Sequence, residues 1–186
     1  MEKIQALAIK YEACRLGVEP EALAAFVEVE SGGRGFDPAT GKLIIQFEPK
    51  YFFERTKVMI PNNVGQQGSE WEAFNEAFGI NPNAAMESTS IGLGQVMGAH
   101  WKRLGYRSVG EMWDDAKECE DRQIYQMAEF IRTDSVLMDA LKRKDWHTVA
   151  VRYNGAGYLR LAKRLNREPY NISMRKAYFK YLSKKL

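Results

Sequence analysis

A chain of 186 residues with 45% hydrophobic and 27% charged side chains buries enough apolar surface to fold as one domain of ordinary size. That excludes a disordered chain, leaves little room for a second core and disfavours a repeat array. Cys14 and Cys119 are too few for a disulfide framework and sit in no CxxC or Cys/His spacing, so they read as free thiols made in a reducing compartment. The net charge of +3 hides an asymmetry: residues 1–140 hold 14 Lys/Arg against 22 Asp/Glu, and residues 141–186 hold 13 against 2, a basic tail on an acidic body.

The opening residues space Ile4, Leu7, Ala8 and Tyr11 at helical intervals and predict a helix ending near Gly17. Their charges deny them the apolar core of a signal peptide, and no run approaches the roughly 18 apolar residues of a membrane span. The chain therefore reads as a soluble cytoplasmic product without an export signal. Pro20 suits the first turn of a second helix, on which Leu23, Phe26, Val27 and Glu30 share one stripe before Ser31-Gly32-Gly33 stops it.

Turn formers then precede KLIIQFEP, where Leu43, Ile45 and Phe47 alternate with Ile44, Gln46 and Glu48, the best strand candidate. YFFERT begins another helix, and Ile60 to Glu70, rich in Asn, Gln and Gly, reads as a mobile surface loop. Trp71, Phe74 and Phe78 mark a helical stripe, and a short helix from Pro82 to Glu87 leads into STSIGLGQVMG. Further helical stripes run over Trp101–Leu104, Ile124–Ile131, Val136–Leu141, Trp146–Tyr153, Tyr158–Leu165 and Met174–Leu182. The class is mainly α with one small β element.

Glu30 stands out chemically. Burial on its apolar stripe and the negative end of the helix dipole both disfavour its ionised form and raise its pKa, as a proton donor to a glycosidic oxygen requires. The alternative is a helix cap or a pair with Arg34. Glu48 faces away from Leu43, Ile45 and Phe47, either as a surface residue or as the second carboxylate that a glycosidase needs. Tyr153 and Asn154 end an apolar stripe as Glu30 does; they read as a hydrogen-bond donor and a sugar ligand, or as a core tyrosine and a helix cap. Gln95, in a glycine-rich stretch that lacks any phosphate-loop pattern, offers amide hydrogen bonds to a ligand, with tight packing as the alternative. Glu87 is a rival acid on a short helix. His100 and His147 have no metal-ligand spacing, so no metal site is expected, and Ser90 with His147 lacks the GxSxG context of a hydrolase.

In the tail, about 158–186, Met174, Ala177, Tyr178, Tyr181 and Leu182 form one stripe, with Arg175, Lys176, Lys180, Lys184 and Lys185 mostly off it. This is either a closing helix with a solvated basic face or a basic amphipathic helix that meets an anionic surface. No aromatic-basic motif or groove-entering fold supports nucleic-acid binding.

Three stretches, VEVESGGRGFDPATGKLIIQFEPKYFF, STSIGLGQVMG and VAVRYNGAGY, together resemble the peptidoglycan N-acetylmuramidase domain of bacteriophage endolysins, within the wider lysozyme and soluble lytic transglycosylase superfamily. The likeness runs over nearly the whole chain. It implies a lysozyme-like fold, mainly α with a small β-hairpin or sheet and a substrate cleft between two lobes, forming a single catalytic domain over residues 1–186.

By the same resemblance Glu30 is the catalytic acid and Glu48 the second acidic position. Ser90, in STSIGLGQ, and Gln95 line the glycan, and Tyr153 and Asn154 belong to a late motif near the acid. Gly94 stands where transglycosylases usually carry methionine. The implied activity is hydrolysis of the β-1,4 bond between N-acetylmuramic acid and N-acetylglucosamine, with no cofactor. Lytic transglycosylation, or a non-enzymatic cationic wall- or membrane-binding protein, are the alternatives. The expected partners are glycan strands, and anionic outer-membrane or wall polymers through the basic tail. The protein is expected to be a monomer made in the host bacterial cytoplasm and acting at the cell wall.

Overall fold

The computed structural model describes residues 3–61 and 66–184. They form eleven α helices and a three-stranded antiparallel sheet, divided between two compact units: Met1–Gly33 with Ala128–Leu186, and Arg34–Met127. The chain passes from the second unit back to the first within one helix.

In the first unit, α1 (Lys3–Leu16) ends before Gly17, whose φ of 65° only glycine adopts freely. Its buried face is not the predicted one. Leu7 and Tyr11 are 66% and 69% exposed, while Gln5, Ile9, Glu12, Ala13 and Leu16 are buried; the side chain of Ile4 lies outside the described residues. The buried polar groups on this face are satisfied: Gln5 Nε2 donates to Gly33 O at 3.0 Å and Glu12 accepts from Arg15 at 2.7 Å, so polarity did not exclude them from the interior. Helix α2 (Pro20–Ser31) has six consecutive buried residues, Ala22 to Val27. It closes on Gly32 in the left-handed conformation, with Gly32 N–H bonded to Glu28 O and Gly33 N–H to Val27 O, which satisfies two carbonyls near the helix end.

The later helices of this unit are α8 (Ser135–Arg143), α9 (Trp146–Tyr153), α10 (Tyr158–Arg164) and α11 (Tyr170–Lys184). Asp134 caps α8 through Leu137 N–H at 3.0 Å and also accepts from Arg152 of α9 at 2.8 Å. Helix α11 packs on α2, and Met174, Ala177, Tyr178 and Tyr181 of the predicted tail stripe are buried there; Leu182 stays 44% exposed. Three tyrosines of α11 donate to carboxylates of α2 or its start: Tyr178 to Glu19, Tyr181 to Glu28 at 2.6 Å, and Tyr170 to Glu30. The stripe thus closes the core, and two cations beside it, Lys176 and Lys180, pair with Glu168 and Glu28. Lys185 lies outside the described residues.

The second unit holds β1 (Ile45–Phe47), α3 (Pro49–Thr56), α4 (Gln67–Ile80), α5 (Pro82–Glu87), β2 (Thr89–Ile91), β3 (Val96–Met97), α6 (Val109–Glu118) and most of α7 (Glu120–Arg132). The sheet order is β1-β2-β3, with Ile45 opposite Ile91 and Ile91 opposite Val96. Leu43, Ile45 and Phe47 are buried and Gln46 exposed, the alternation expected of KLIIQFEP, although only three residues pair. The predicted loop to Glu70 is shorter, because α4 already begins at Gln67; residues 62–65 lie outside the described residues.

One expected helix is absent, and one observed helix lies outside the expected stripes. Trp101–Leu104 is a series of turns after a 3-10 turn at Gly98–His100, not a helix. Helix α6 went unpredicted although its start was legible: Ser108 accepts from Glu111 N–H at 3.1 Å, the S-x-x-E capping pattern. STSIGLGQVMG is a hairpin, β2 and β3 around a turn with positive φ at Gly92 and Gln95.

The glycine requirement at Gly92 is one of packing and backbone geometry. A Cβ there would lie 2.7 Å from Gln123 Oε1, the atom that accepts Leu93 N–H at 2.9 Å. Gly92→Ala is therefore expected to destabilise the protein by about 2 kcal/mol, read as a lower urea midpoint at unchanged slope.

Candidate active site

Helix α2 carries Glu30 to its last turn because an apolar stripe fills the preceding turns and Gly32 ends the helix one residue after Ser31. Glu30 is half-buried as a residue, but its carboxyl is desolvated, which pushes its pKa up to about 7 against the opposing effects of a hydrogen bond from Tyr170 and the charge of Arg167. The hydroxyl that bonds it thus comes from a tyrosine of α11, 140 residues away.

Tyr153 ends α9 and packs on Phe26 and Phe130, with ring centroids 4.5 and 5.2 Å away. Burial and then the charge of Glu30 push its hydroxyl well above the usual range, and burial and Glu30 do the same to Tyr170. Both phenols therefore stay protonated and remain donors. Asn154 is exposed as the C-cap of α9, next to Gly155 at φ 108°. Within the first unit Glu30, Tyr153 and Tyr170 are thus electrostatically coupled. Tyr170 and Arg167 escaped sequence reasoning because no local pattern links them to a helix so distant in the chain.

In the second unit Glu48 follows β1 and precedes α3, with Pro49 in the first turn of that helix. Its N–H donates to Ser88 O at 2.8 Å, and Gln46 Nε2 donates to its Oε1 at 2.8 Å. Burial raises its pKa, Gln46 opposes this, and the charge of Glu70 adds to it. Ser90 sits opposite Gln46 in the register and is buried; its hydroxyl lies 3.4 Å from Gln46 O and from Gln95 Oε1. The Gln95 amide donates to Gly92 O at 2.8 Å within its own turn. Ser90 therefore links the Gln95 amide to Gln46, whose own amide bonds Glu48; Glu48 follows the Phe47 end of β1, and Gln95 lies in the β2–β3 turn beyond Ile91.

The rivals have structural partners. Glu87 accepts from Trp101 Nε1 at 3.0 Å and from Arg55 at 3.2 Å. His147 Nδ1 is 2.6 Å from the Tyr158 hydroxyl, and burial followed by the charge of Arg103 lowers the His100 pKa to about 4. Cys14 and Cys119 are exposed free thiols. Among the described residues no group of three His, Cys, Asp or Glu is placed to hold a metal ion, and no helix is long and apolar enough to cross a membrane.

A carboxylic acid with a pKa near 7 at the end of a helix can give a proton to a glycosidic oxygen. Residues 19–182 match the N-acetylmuramidase family. Among solved structures, that of Burkholderia AP3 phage endolysin is similar at 28% identity, covering 97% of this chain and 71% of that one with a TM-score of 0.82. Comparison with curated proteins finds no match. A match over nearly the whole chain, in a mainly helical lysozyme-like fold that sets Glu30 at the end of its helix, makes this chain a member of the N-acetylmuramidase family, a glycoside hydrolase whose substrate is peptidoglycan.

Proposed function

We propose that the enzyme hydrolyses the β-1,4 bond between N-acetylmuramic acid and N-acetylglucosamine, with Glu30 as the general acid. The observation that carries the reading is the Glu30 carboxyl, held protonated up to about pH 7 by desolvation. Glu30 gives its proton to the leaving oxygen as the bond to the anomeric carbon breaks. Glu48 attacks that carbon or takes a proton from the attacking water. Ser90, Gln95, Tyr153 and Asn154 hold the glycan, and the Tyr170 hydroxyl keeps the Glu30 carboxyl in one orientation. The site of action is the bacterial cell wall, reached from synthesis in the host cytoplasm.

Digestion of purified wall followed by mass spectrometry tests the reaction. The expected products carry one added water per bond cut; anhydro products at the muramic end would overturn hydrolysis in favour of transglycosylation. Replacing Glu48 with Gln is expected to lower the rate at least about 100-fold, and parental activity in that variant would remove Glu48 from the reaction.

Tyr170→Phe separates orientation from acidity. Because the Tyr170 bond favours the ionised form of Glu30, its loss raises the Glu30 pKa and moves the alkaline limb of the pH–rate profile upward. The loosened carboxyl lowers the maximal rate about tenfold. A profile with an unmoved alkaline limb would show that the hydroxyl does not act on Glu30.

A further inference from the structure

Among the described residues, strand β1 pairs on one side only, with β2, and its other edge is occupied by side chains of α4. Gln67 Oε1 accepts Ile45 N–H at 2.9 Å while its Nε2 donates to Ile45 O at 2.9 Å. Glu70 accepts Phe47 N–H at 2.8 Å, and Trp71 Nε1 donates to Leu43 O at 3.1 Å. Positions 67, 70 and 71 share one helix face, and 43, 45 and 47 are the alternate residues of one strand edge. One helical turn therefore supplies the bonds that a fourth strand would make, and the clamped chain runs through Phe47 directly into Glu48.

We propose that Gln67 and Glu70 are positioning residues for Glu48: α4 fixes the main chain that carries Glu48, and the Glu70 carboxylate sets the electrostatic surroundings in which Glu48 works. This rests on the reading of Glu48 as the second carboxylate.

Two separable effects follow. The negative charge of the buried Glu70 disfavours ionisation of Glu48, while the Gln46 amide favours it. The cations of α3 are paired elsewhere, Lys50 with Glu54 and Arg55 with Glu87 of α5, and Ser88 presents a carbonyl to the Glu48 N–H. Because Glu48 must be ionised to act as base or nucleophile, its pKa sets the acid limb of the profile.

Glu70→Gln keeps an acceptor for Phe47 N–H and removes the charge, so the acid limb is expected to move about half a pH unit or more toward lower pH. Gln67→Ala keeps the charge and removes two bonds of the clamp. It is expected to lower kcat about tenfold on soluble glycan strands with the acid limb in place. A Glu70→Gln profile that superimposes on the parent's overturns the electrostatic half, and parental kcat in Gln67→Ala overturns the positioning half. Should Gln67→Ala melt below the assay temperature, Gln67→Glu, which keeps the acceptor for Ile45 N–H and loses the donor, takes its place with parental kcat again counting against the clamp. The Glu48→Gln variant separates the two failures. If it is inactive while Glu70→Gln leaves the profile unmoved, the inference alone fails; if it is fully active, the reading of Glu48 fails first.

Discussion

Glu30→Gln is expected to slow peptidoglycan cleavage about 10²–10⁴-fold, because the amide has no proton to give to the leaving oxygen. Reducing ends released from purified wall measure it, and solubilisation at the parental rate would remove Glu30 from the chemistry. In the parent the alkaline limb of the profile is expected near pH 7, where Glu30 loses its proton.

The same residue should weaken the fold as pH rises. Its folded pKa, about 7, lies above the ordinary carboxyl value of 4.5. Between those values the unfolded chain gives up a proton that the folded chain keeps, so stability falls through that window and levels off above it. Glu30→Gln carries no such burden. Its melting temperature is expected to gain on the parent's between about pH 4.5 and 7, and parallel melting curves across that range would contradict the desolvated acid.

Trp113→Ala is expected to cost about 3–5 kcal/mol and to lower the melting temperature by roughly 10 °C. Trp113 is 2% exposed in the second unit. It stacks on Phe74 with centroids 4.7 Å apart and meets Trp71 edge to face at 6.4 Å, and its Nε1 donates to Met86 O at 3.2 Å. Truncation leaves a large void among α4, α5 and α6 and strips that carbonyl of a donor. Trp113→Phe refills much of the void but still loses the hydrogen bond, so its expected loss is smaller, and equal losses in the two variants would argue that packing volume contributes little. The effect reaches function as well, since Trp71, which contacts this cluster, also bonds the edge of β1.

Most helices were legible because their determinants are local. Pro20 and Gly32 bound α2, the stripe of Leu23, Phe26 and Val27 carries Glu30 to its end, and the limits of α5 and α9 follow from capping and periodicity alone. The alternation of Leu43, Ile45 and Phe47 likewise marked a strand with Glu48 at its close. Where a helix had two faces of similar polarity the choice was not local: α1 buries Gln5 and Glu12 and exposes Leu7 and Tyr11, because Gly33 and Arg15 supply the partners that make polar burial tolerable.

The amino-acid sequence by itself thus determined that a carboxylate ends an apolar helix and that another closes a strand. Tertiary structure alone decided what tunes them. The Tyr170 hydroxyl that bonds Glu30 comes from 140 residues away, and the Gln67 and Glu70 clamp beside Glu48 joins a helix face to a strand edge. Hydrogen bonding and desolvation act over a few ångströms in space, whereas periodicity and capping report only on neighbours along the chain.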